Sequence, residues 1–328
     1  MRAVIGPNVT RRAHRCLLLL ALVTTSGCSE PPVAPRLPEP VEGPNPPFMP
    51  APRSYPLRHL DPSWGSGSLI AHLETGLLRI EPGKGEVYDH ALQGVWLIDA
   101  TAGTSRLVLP SQRRVWGMSW SPDGTRLAYS DYNTLFVMDV ASGESTPVTT
   151  FEYPEGAYDP RWSPDGSTIA FSHIPGHGGW ADWGVWTVKP DGSDLTRVAL
   201  GYIDPAWHPE GLVMRGPGGH EISLWRAASG QVVKIRDLTG FQAGDLEVSP
   251  DGNQISITPI HRGALWLMNA DGSNLRVLAD HVIGRHSWSP DGRSIVFTRD
   301  DPTTDVPENG VLWRVDVTSG AFTPVTHH

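Results

Sequence analysis

A five-residue motif, Trp-Ser-Pro-Asp-Gly or a close variant, returns along this chain at nearly constant spacing. Its acidic residue recurs every 40 to 45 positions, at Asp123, Asp165, Glu210, Asp251 and Asp291. Pro fixes φ for a tight turn, Asp hydrogen-bonds the backbone ahead of it, and Gly tolerates the positive φ that closes the turn. Each copy therefore predicts a hairpin turn. Repeats of this length with short β segments are typical of propeller blades, small sheets that bury their faces against one another.

A second recurring feature counts the repeats. An aromatic residue occupies the same place in a later strand of every unit, at Trp96, Phe136, Trp186, Trp225, Trp266 and Trp313. This register gives six units, one more than the clear copies of the motif. The additional unit begins at Asp61-Pro62-Ser63-Trp64, which matches Asp159 to Trp162 and Asp204 to Trp207. We therefore predict an all-β fold, a six-bladed β-propeller of four-stranded antiparallel blades over residues 57–328.

The first 27 residues have the organisation of an export signal. Arginines precede an apolar run from Cys16 to Val23, and no acidic residue occurs before Glu30. The run is too short to span a bilayer as a helix. Thr25-Ser26-Gly27-Cys28 resembles a bacterial lipobox, in which the signal is cut before a cysteine that is then acylated. We expect Cys28 to carry a lipid; a simple secretory signal with an idle thiol is the alternative.

Residues 28–56 predict a tether between this lipid and the propeller. Eleven prolines fall between Pro31 and Pro56, a composition that favours extended polyproline II. Ser29 directly follows Cys28, at the position where an aspartate tends to retain lipoproteins in the inner membrane. We expect a protein of the bacterial cell envelope, bound to membrane through its lipid alone, on the periplasmic face of the outer membrane if the source has two membranes.

Charge limits the classes of partner. The formal net charge is −9 and becomes −13 when residues 1–27, with their four arginines, are removed. Nucleic acid is therefore excluded as an expected partner, because its phosphates need a basic surface. We expect a monomer whose partner is an envelope protein or a cell-wall component.

The motif, the repeat length and the count of six together resemble the propeller of the TolB family, also described as PD40 or WD40-like repeats. The resemblance covers residues 57–328 and implies the fold. TolB carries an additional α/β domain ahead of its propeller, for which we expect no room between Cys28 and the first strand. Similar repeats precede the catalytic domain of prolyl-oligopeptidase-like peptidases. No Gly-x-Ser-x-Gly nucleophile elbow occurs in this sequence, which excludes that class of enzyme.

One repeat position predicts a site. The first strand of each propeller blade lines the central channel, and three residues before the motif tryptophan the six units carry Asp61, Gly117, Asp159, Asp204, Asp245 and Arg285. Four carboxylates would then surround one mouth of the channel, as a site for a divalent cation or a basic segment, with Arg285 able to pair with a neighbour and His286 beside it. The alternative is that Asp before Pro only caps the strand through local hydrogen bonds.

The irregular loops are predicted on the same rim as this mouth. Insertions fall at His173–Trp183, Asp300–Gly310 and Glu74–Gly94, and insertions on one rim of a repeat fold usually mark its binding face. The candidate binding residues are Tyr153 and Tyr158, in the loop that enters blade three, and His173, His177, Trp180, Asp182 and Trp183, in the first of these insertions. His173, His177 and Asp182 are also metal-ligand types, whereas a solvated glycine-rich loop is the alternative. The motif tryptophans are expected to pack between blades.

Two functional hypotheses follow. The first is a non-catalytic, lipid-anchored scaffold that binds a protein or ligand through its acidic, insertion-bearing rim and needs no cofactor. The second is a metal-dependent carbohydrate lyase or hydrolase with a divalent cation in the channel mouth. Oligogalacturonate-lyase-like propellers hold a metal through several channel histidines, whereas the equivalent positions here supply only His286. We expect the first.

Overall fold

The computed structural model describes residues 58–81, 85–110, 115–260, 263–299 and 311–325. The predicted signal, Cys28, the tether to residue 56 and the insertion at 300–310 lie outside the described residues. None of the helices in the described part of the chain is long and apolar enough to cross a membrane.

Twenty-four strands are present in these described ranges, four to each blade. Blade one contains β1 (Arg58–Trp64), β2 (Leu69–Glu81), β3 (Gly85–Asp99) and β4 (Thr104–Pro110), and blade two contains β5 (Met118–Trp120), β6 (Arg126–Ser130), β7 (Thr134–Asp139) and β8 (Ser145–Thr150). Blade three contains β9 (Gly156–Trp162), β10 (Ile169–Ile174), β11 (Gly184–Val188) and β12 (Thr196–Leu200), and blade four contains β13 (Ile203–His208), β14 (Gly211–Arg215), β15 (Glu221–Arg226) and β16 (Gln231–Asp237). Blade five contains β17 (Ala243–Val248), β18 (Gln254–Pro259), β19 (Ala264–Asn269) and β20 (Arg276–Asp280), and blade six contains β21 (Val282–Trp288), β22 (Ser294–Arg299), β23 (Val311–Asp316) and β24 (Phe322–Pro324). Single 3-10 turns occur at Trp180–Asp182 and Pro217–Gly219.

Each blade is one contiguous antiparallel sheet with its strands in chain order. The six first strands contact one another in a ring, β1 with β5, β5 with β9, and so on round to β21 with β1. The prediction of a six-bladed propeller with four-stranded blades is confirmed. Because β24 pairs with β23 and β1 with β2, the ring closes by packing of blade six against blade one rather than by a shared strand. Ile70, Ile98, Val296, Leu312 and Val325 form the apolar contact across that seam.

The core lies between blades, as the hydrophobic pattern requires. Second strands are buried on both faces, so Ile169, Ala170 and Phe171 of β10 form an unbroken apolar run with no exposed surface. The outer strand β16 is exposed along most of its length. Leu135 and Val137 of blade two pack in one cluster with Trp162 and Phe171 of blade three. Burial against the next blade thus stabilises each sheet, which has no core of its own.

The motif forms the turn between the first and second strands, and its serine and aspartate act together. Ser121 Oγ donates to Asp123 Oδ1 at 2.6 Å and accepts from the Arg126 backbone NH at 2.9 Å. The same pair recurs at 2.6 Å for Ser163 with Asp165, Ser249 with Asp251 and Ser289 with Asp291. The hydrogen bonds from Ser121 and from the backbone and hydroxyl of Thr125 lower the pKa of Asp123 to about 2. The motif acidic residues are turn formers, on the rim opposite the insertions.

The first strands of blades one, three and four each contain a β-bulge at the channel mouth. Asp61, Asp159 and Asp204 have φ of 50°, 58° and 52°, and the pairing of each strand with the next shifts register at this point. Gly117, at the same repeat position, has φ of 85°. The left-handed region disfavours residues with a Cβ, so three aspartates held there mark a local cost that the ring sustains. A bulge re-aims the side chain relative to the regular pleat.

Candidate functional site

Arg285 lies among three of the carboxylates that the sequence placed at the channel mouth. Its Nη1 is 3.2 Å from Asp245 Oδ1, its Nε is 3.8 Å from Asp61 Oδ1, and its Nη2 forms an ion pair with Asp159. Burial works to lower the pKa of Arg285, but the charges of Asp159, Asp245 and Asp61 raise it above its ordinary value. The guanidinium therefore stays charged and bridges blades one, three and five from blade six.

A second arginine, missed in the sequence analysis, extends this network. Arg161 Nη2 lies 3.1 Å from Asp245 Oδ1 and 3.7 Å from Glu247 Oε1. Arg161 and Glu247 both stand directly before the motif position, in blades three and five. The sequence could have predicted this ion pair, because Arg161 and Glu247 have opposite charges and occupy the same repeat position in two blades. Burial raises the pKa of Glu247, while the charges of Arg161 and His286 oppose that rise.

His286 is fully enclosed between blades five and six. Its Nδ1 is 3.2 Å from Asp245 Oδ2, and its Nε2 is 2.7 Å from Ser256 Oγ. Burial by itself would raise the pKa of Asp245, but the close contact with His286 and the charges of Arg285, His286 and Arg161 together lower it. Asp245 is thus an ionised, buried partner of three cationic or donor groups.

Ser256, His286 and Asp245 have the order of a Ser-His-Asp triad, but not its accessibility. Ser256 is 0% exposed, and its Oγ accepts a hydrogen bond from the indole nitrogen of Trp288 at 2.8 Å. A nucleophile must reach a substrate carbonyl beside oxyanion donors. Because Ser256 is enclosed, we interpret its contacts with His286 and Trp288 as structural: they hold blade six against blade five.

Asp204, the fourth predicted carboxylate, has an arginine of its own. Arg215 Nε is 2.5 Å from Asp204 Oδ2, a close ion-pair contact without hydrogen-bond angles, and its Nη1 donates to the Ala243 carbonyl at 2.7 Å. Burial raises the pKa of Asp204, with the Arg215 charge acting against it and the Asp159 charge adding to it. The Arg215 guanidinium carbon also lies 5.3 Å from the centre of the Trp180 ring. Arg215 links the channel mouth to the insertion of blade three.

The charge of the mouth differs from the sequence expectation. Three arginines, at 161, 215 and 285, face the four predicted carboxylates and Glu247. The guanidinium of Arg285 occupies the place between carboxylates where a divalent cation was considered. Within the described residues no group of three or more His, Cys, Asp or Glu side chains is placed to hold a metal ion.

Four aromatic residues form a patch on the rim beside this network. Tyr132 stands 5.9 Å from both Tyr153 and Tyr158, and Tyr158 stands 5.6 Å from Trp116, measured between ring centres. Tyr153 is 81% exposed. Burial, with additions from Tyr132 and Asp159, raises the pKa of Tyr158 to about 12. This aromatic patch of Trp116, Tyr132, Tyr153 and Tyr158 joins the mouth directly, since Tyr158 precedes Asp159 in β9. The loop positions of Trp116 and Tyr132 gave no sequence signal.

The blade-three insertion does not assemble a metal site. His173 is buried, with its Nε2 3.0 Å from Glu155 Oε2 and its ring 4.4 Å from the Phe151 ring. His177 and Asp182 are exposed, and Asp182 accepts a hydrogen bond from the Gly179 NH at 3.2 Å. The rings of Trp180 and Trp183 lie 4.4 Å apart. His173 supports the loop base, while the two tryptophans form its folded tip.

Comparison with known proteins agrees with this geometry. The family model described as PD40, TolB beta propeller domain, matches residues 90–327. The chain belongs to the TolB β-propeller family. No protein among the curated sequences matches it significantly.

Solved TolB structures share the fold at low identity. A putative TolB from Agrobacterium tumefaciens is 20% identical with a TM-score of 0.59, over 70% of this chain and 87% of that one. TolB from Acinetobacter baumannii is 17% identical with a TM-score of 0.59, over 71% of this chain and 59% of that one. An oligogalacturonate lyase in complex with manganese is 14% identical with a TM-score of 0.52, over 85% of this chain and 87% of that one. Similarity at this level of identity shows only the propeller fold, which the TolB family shares with enzymes. It assigns no activity to this chain.

Proposed function

We propose that this TolB-family propeller is a non-catalytic scaffold of the bacterial cell envelope that binds a protein partner over its insertion-bearing rim. The observation that carries the proposal is the aromatic patch, in which Tyr153 is 81% exposed and the other three rings are partly buried, beside an ion-paired channel mouth. The partner would contact mainly the aromatic patch and, next to it, the channel mouth.

The patch has the composition of an interface centre. Tyrosine and tryptophan dominate binding hot spots because they bury a large area and lose little conformational freedom. Tyr132 and Tyr158 are already held by edge-to-face contacts, and the Tyr132 hydroxyl donates to the Pro154 carbonyl at 3.0 Å. Ordering these rings before binding lowers the entropy cost of a complex.

Charge around the patch favours a basic partner segment. Glu152 and Asp182 are exposed, and the side chain of Glu155 is 42% exposed beside His173. The arginines of the mouth are engaged with carboxylates of their own, so these rim residues supply the outward negative field. Complementary charge would mainly accelerate and orient association.

The location in the envelope rests on the first residues of the sequence together with family membership. Lipidation at Cys28 and a periplasmic outer-membrane site belong to the proposal. Growth with a radiolabelled fatty acid tests the anchor: the full chain should be labelled, and Cys28→Ser should be unlabelled and leave the membrane fraction. Unchanged labelling of Cys28→Ser would overturn the anchor without affecting the rim.

The enzyme hypothesis is less well supported by the site. Arg285 stands between the carboxylates that a metal-dependent lyase would need for its ion, and Ser256 is enclosed by Trp288. A thermal melt with added manganese or calcium separates the two hypotheses, because an ion bound only by the folded state raises the melting temperature. The scaffold predicts no shift; a saturable rise lost in Asp245→Asn would favour the enzyme.

Site-specific photocrosslinking tests the scaffold itself. A photoreactive phenylalanine analogue at position 153 should capture a discrete envelope protein in cells. The matched control is the same analogue at Val277, an exposed residue on the outer strand β20. Equal adducts at both positions, or none at 153, would contradict the proposed rim.

A further inference from the structure

Two of the motif tryptophans, Trp120 and Trp207, fill the space between their own blade and the preceding one. The indole nitrogen of Trp120 donates to the Ser63 carbonyl of blade one at 3.0 Å, and that of Trp207 donates to the Arg161 carbonyl of blade three at 2.9 Å. In each case the acceptor precedes the motif tryptophan of the earlier blade. A Cβ added to Gly65 would lie 2.7 Å from the Trp120 ring, so the indole lies directly on that blade.

Blade five lacks this tryptophan, because its motif begins with Val248. A cavity of about 430 Å³ lies beside Val248, where blade five faces blade four. It is walled by Ala206, Trp207 and His208 of blade four, Glu247 and Val248 of blade five, and Arg161 of blade three. Its volume falls within the range of small-molecule sites.

The walls offer what the indoles of Trp120 and Trp207 use elsewhere in the ring. The Ala206 carbonyl is the repeat equivalent of the Ser63 and Arg161 carbonyls that accept indole N–H groups. The Trp207 ring forms an aromatic wall. Arg161 supplies a cationic wall: its side chain is 12% exposed, and its Nη2 is shared between Asp245 at 3.1 Å and Glu247 at 3.7 Å. The charge of this guanidinium favours a ligand oxygen beside it.

We propose that this cavity binds an indole ring, with the ring N–H on the Ala206 carbonyl and an oxygen of the same ligand on Arg161. The source is either a free indole carboxylate or a tryptophan side chain of a bound polypeptide. The site lies on the motif-turn rim, opposite the aromatic patch, and does not depend on the scaffold proposal.

The test uses ¹⁹F NMR of 5-fluoroindole and 5-fluoroindole-3-acetate with the full chain. We expect saturable broadening with a Kd of about 0.1–1 mM for 5-fluoroindole, as suits a ligand of this size, and tighter binding of the acetate. Val248→Trp fills the cavity with the chain's own indole and should weaken binding at least tenfold. Val232→Trp, at an exposed position of β16, is the matched control and should bind as the wild type does.

The remaining outcomes decide the details. Arg161→Lys should remove the advantage of the acetate while 5-fluoroindole still binds. Displacement by the peptide Ala-Trp-Ala amide would identify a polypeptide as the source, and displacement by indole-3-acetate alone a free metabolite. The proposal is overturned if the wild type shows no saturable broadening, or if Val248→Trp binds normally, which would place the ligand elsewhere, such as the seam cavity beside Trp64. Should Val248→Trp fail to fold, Val248→Phe, a smaller filler, replaces it with the same expected direction.

Discussion

Arg285 of blade six forms an ion pair with Asp159 of blade three, across the central channel of the propeller. The same guanidinium reaches Asp245 of blade five and Asp61 of blade one. Four of the six blades are thereby tied together by one side chain. The pairing offsets part of the repulsion between carboxylates that would be costly to bring together alone.

Removing this guanidinium should destabilise the ring strongly. Arg285→Met leaves buried Asp159 and Asp245 without their central partner, and breaking a buried pair typically costs about 3–5 kcal/mol. The measurement is the free energy of unfolding from urea titration. Arg226→Met, which removes an exposed pair with Glu210, is the control and should cost less than about 1 kcal/mol. Similar losses in both variants would show that the channel network does not stabilise the fold.

Asp204 should make stability fall as pH rises. Burial raises its pKa, so its contribution is fully present below the ordinary carboxyl pKa and is lost as pH rises through the folded value. Asp204→Asn, which cannot ionise, should therefore gain stability relative to the wild type with increasing pH. Urea midpoints of both proteins across acidic to mildly basic pH measure this. A constant difference between the two curves would show that Asp204 has an ordinary pKa.

The motif turns should show the opposite pH dependence. The pKa of Asp123 is lowered to about 2 by Ser121 and Thr125, so its stabilisation is present above the ordinary value of 3.8 and is lost as pH falls towards 2. Ser121→Ala removes the hydroxyl that donates to Asp123 and accepts from the Arg126 NH. We expect a loss of about 1–3 kcal/mol at neutral pH, since a partly buried NH is left unpaired, and a smaller difference at acid pH. Thermal unfolding at both pH values is the readout; an equal loss at both would contradict the role of the Ser–Asp pair.

Replacing Gly117 should destabilise the protein, because an added side chain would meet Asp159 as well as strain the backbone. A Cβ there would lie 2.9 Å from Asp159 Cα and 3.0 Å from Asp159 Oδ1, and its φ is 85°. Gly117→Ala should cost more than Gly103→Ala, which shares a positive φ of 66° but meets nothing within 4 Å. The control isolates backbone strain of about 1 kcal/mol, and the excess measures the crowding of Asp159. Matching losses in urea titration would show that Asp159 can move aside.

Aligning the first strands of the six units predicted part of the candidate site. The alignment grouped Asp61, Asp159 and Asp245 with Arg285, and these residues meet in the structure. Arg215 was beyond its reach, because that residue lies on a second strand, where the motif offers no alignment with the channel. Trp116 and Tyr132 were missed since loop conformation, not periodicity, brings their rings to Tyr158. His173 was placed in a candidate metal set with His177, yet Glu155 and Phe151 enclose it at the loop base.

The sequence alone determined the number of blades and the chemistry of the motif turn, because each depends on residues within one repeat and on φ values that Pro, Asp and Gly set locally. Only the tertiary structure decided the charge of the channel mouth and the presence of the Val248 cavity. Arg285 and Asp159 are 126 positions apart, and Val248 leaves a void only because a neighbouring blade offers its surface there. Coulomb energy and packing depend on distance in space, which the ring creates when its sixth blade meets its first.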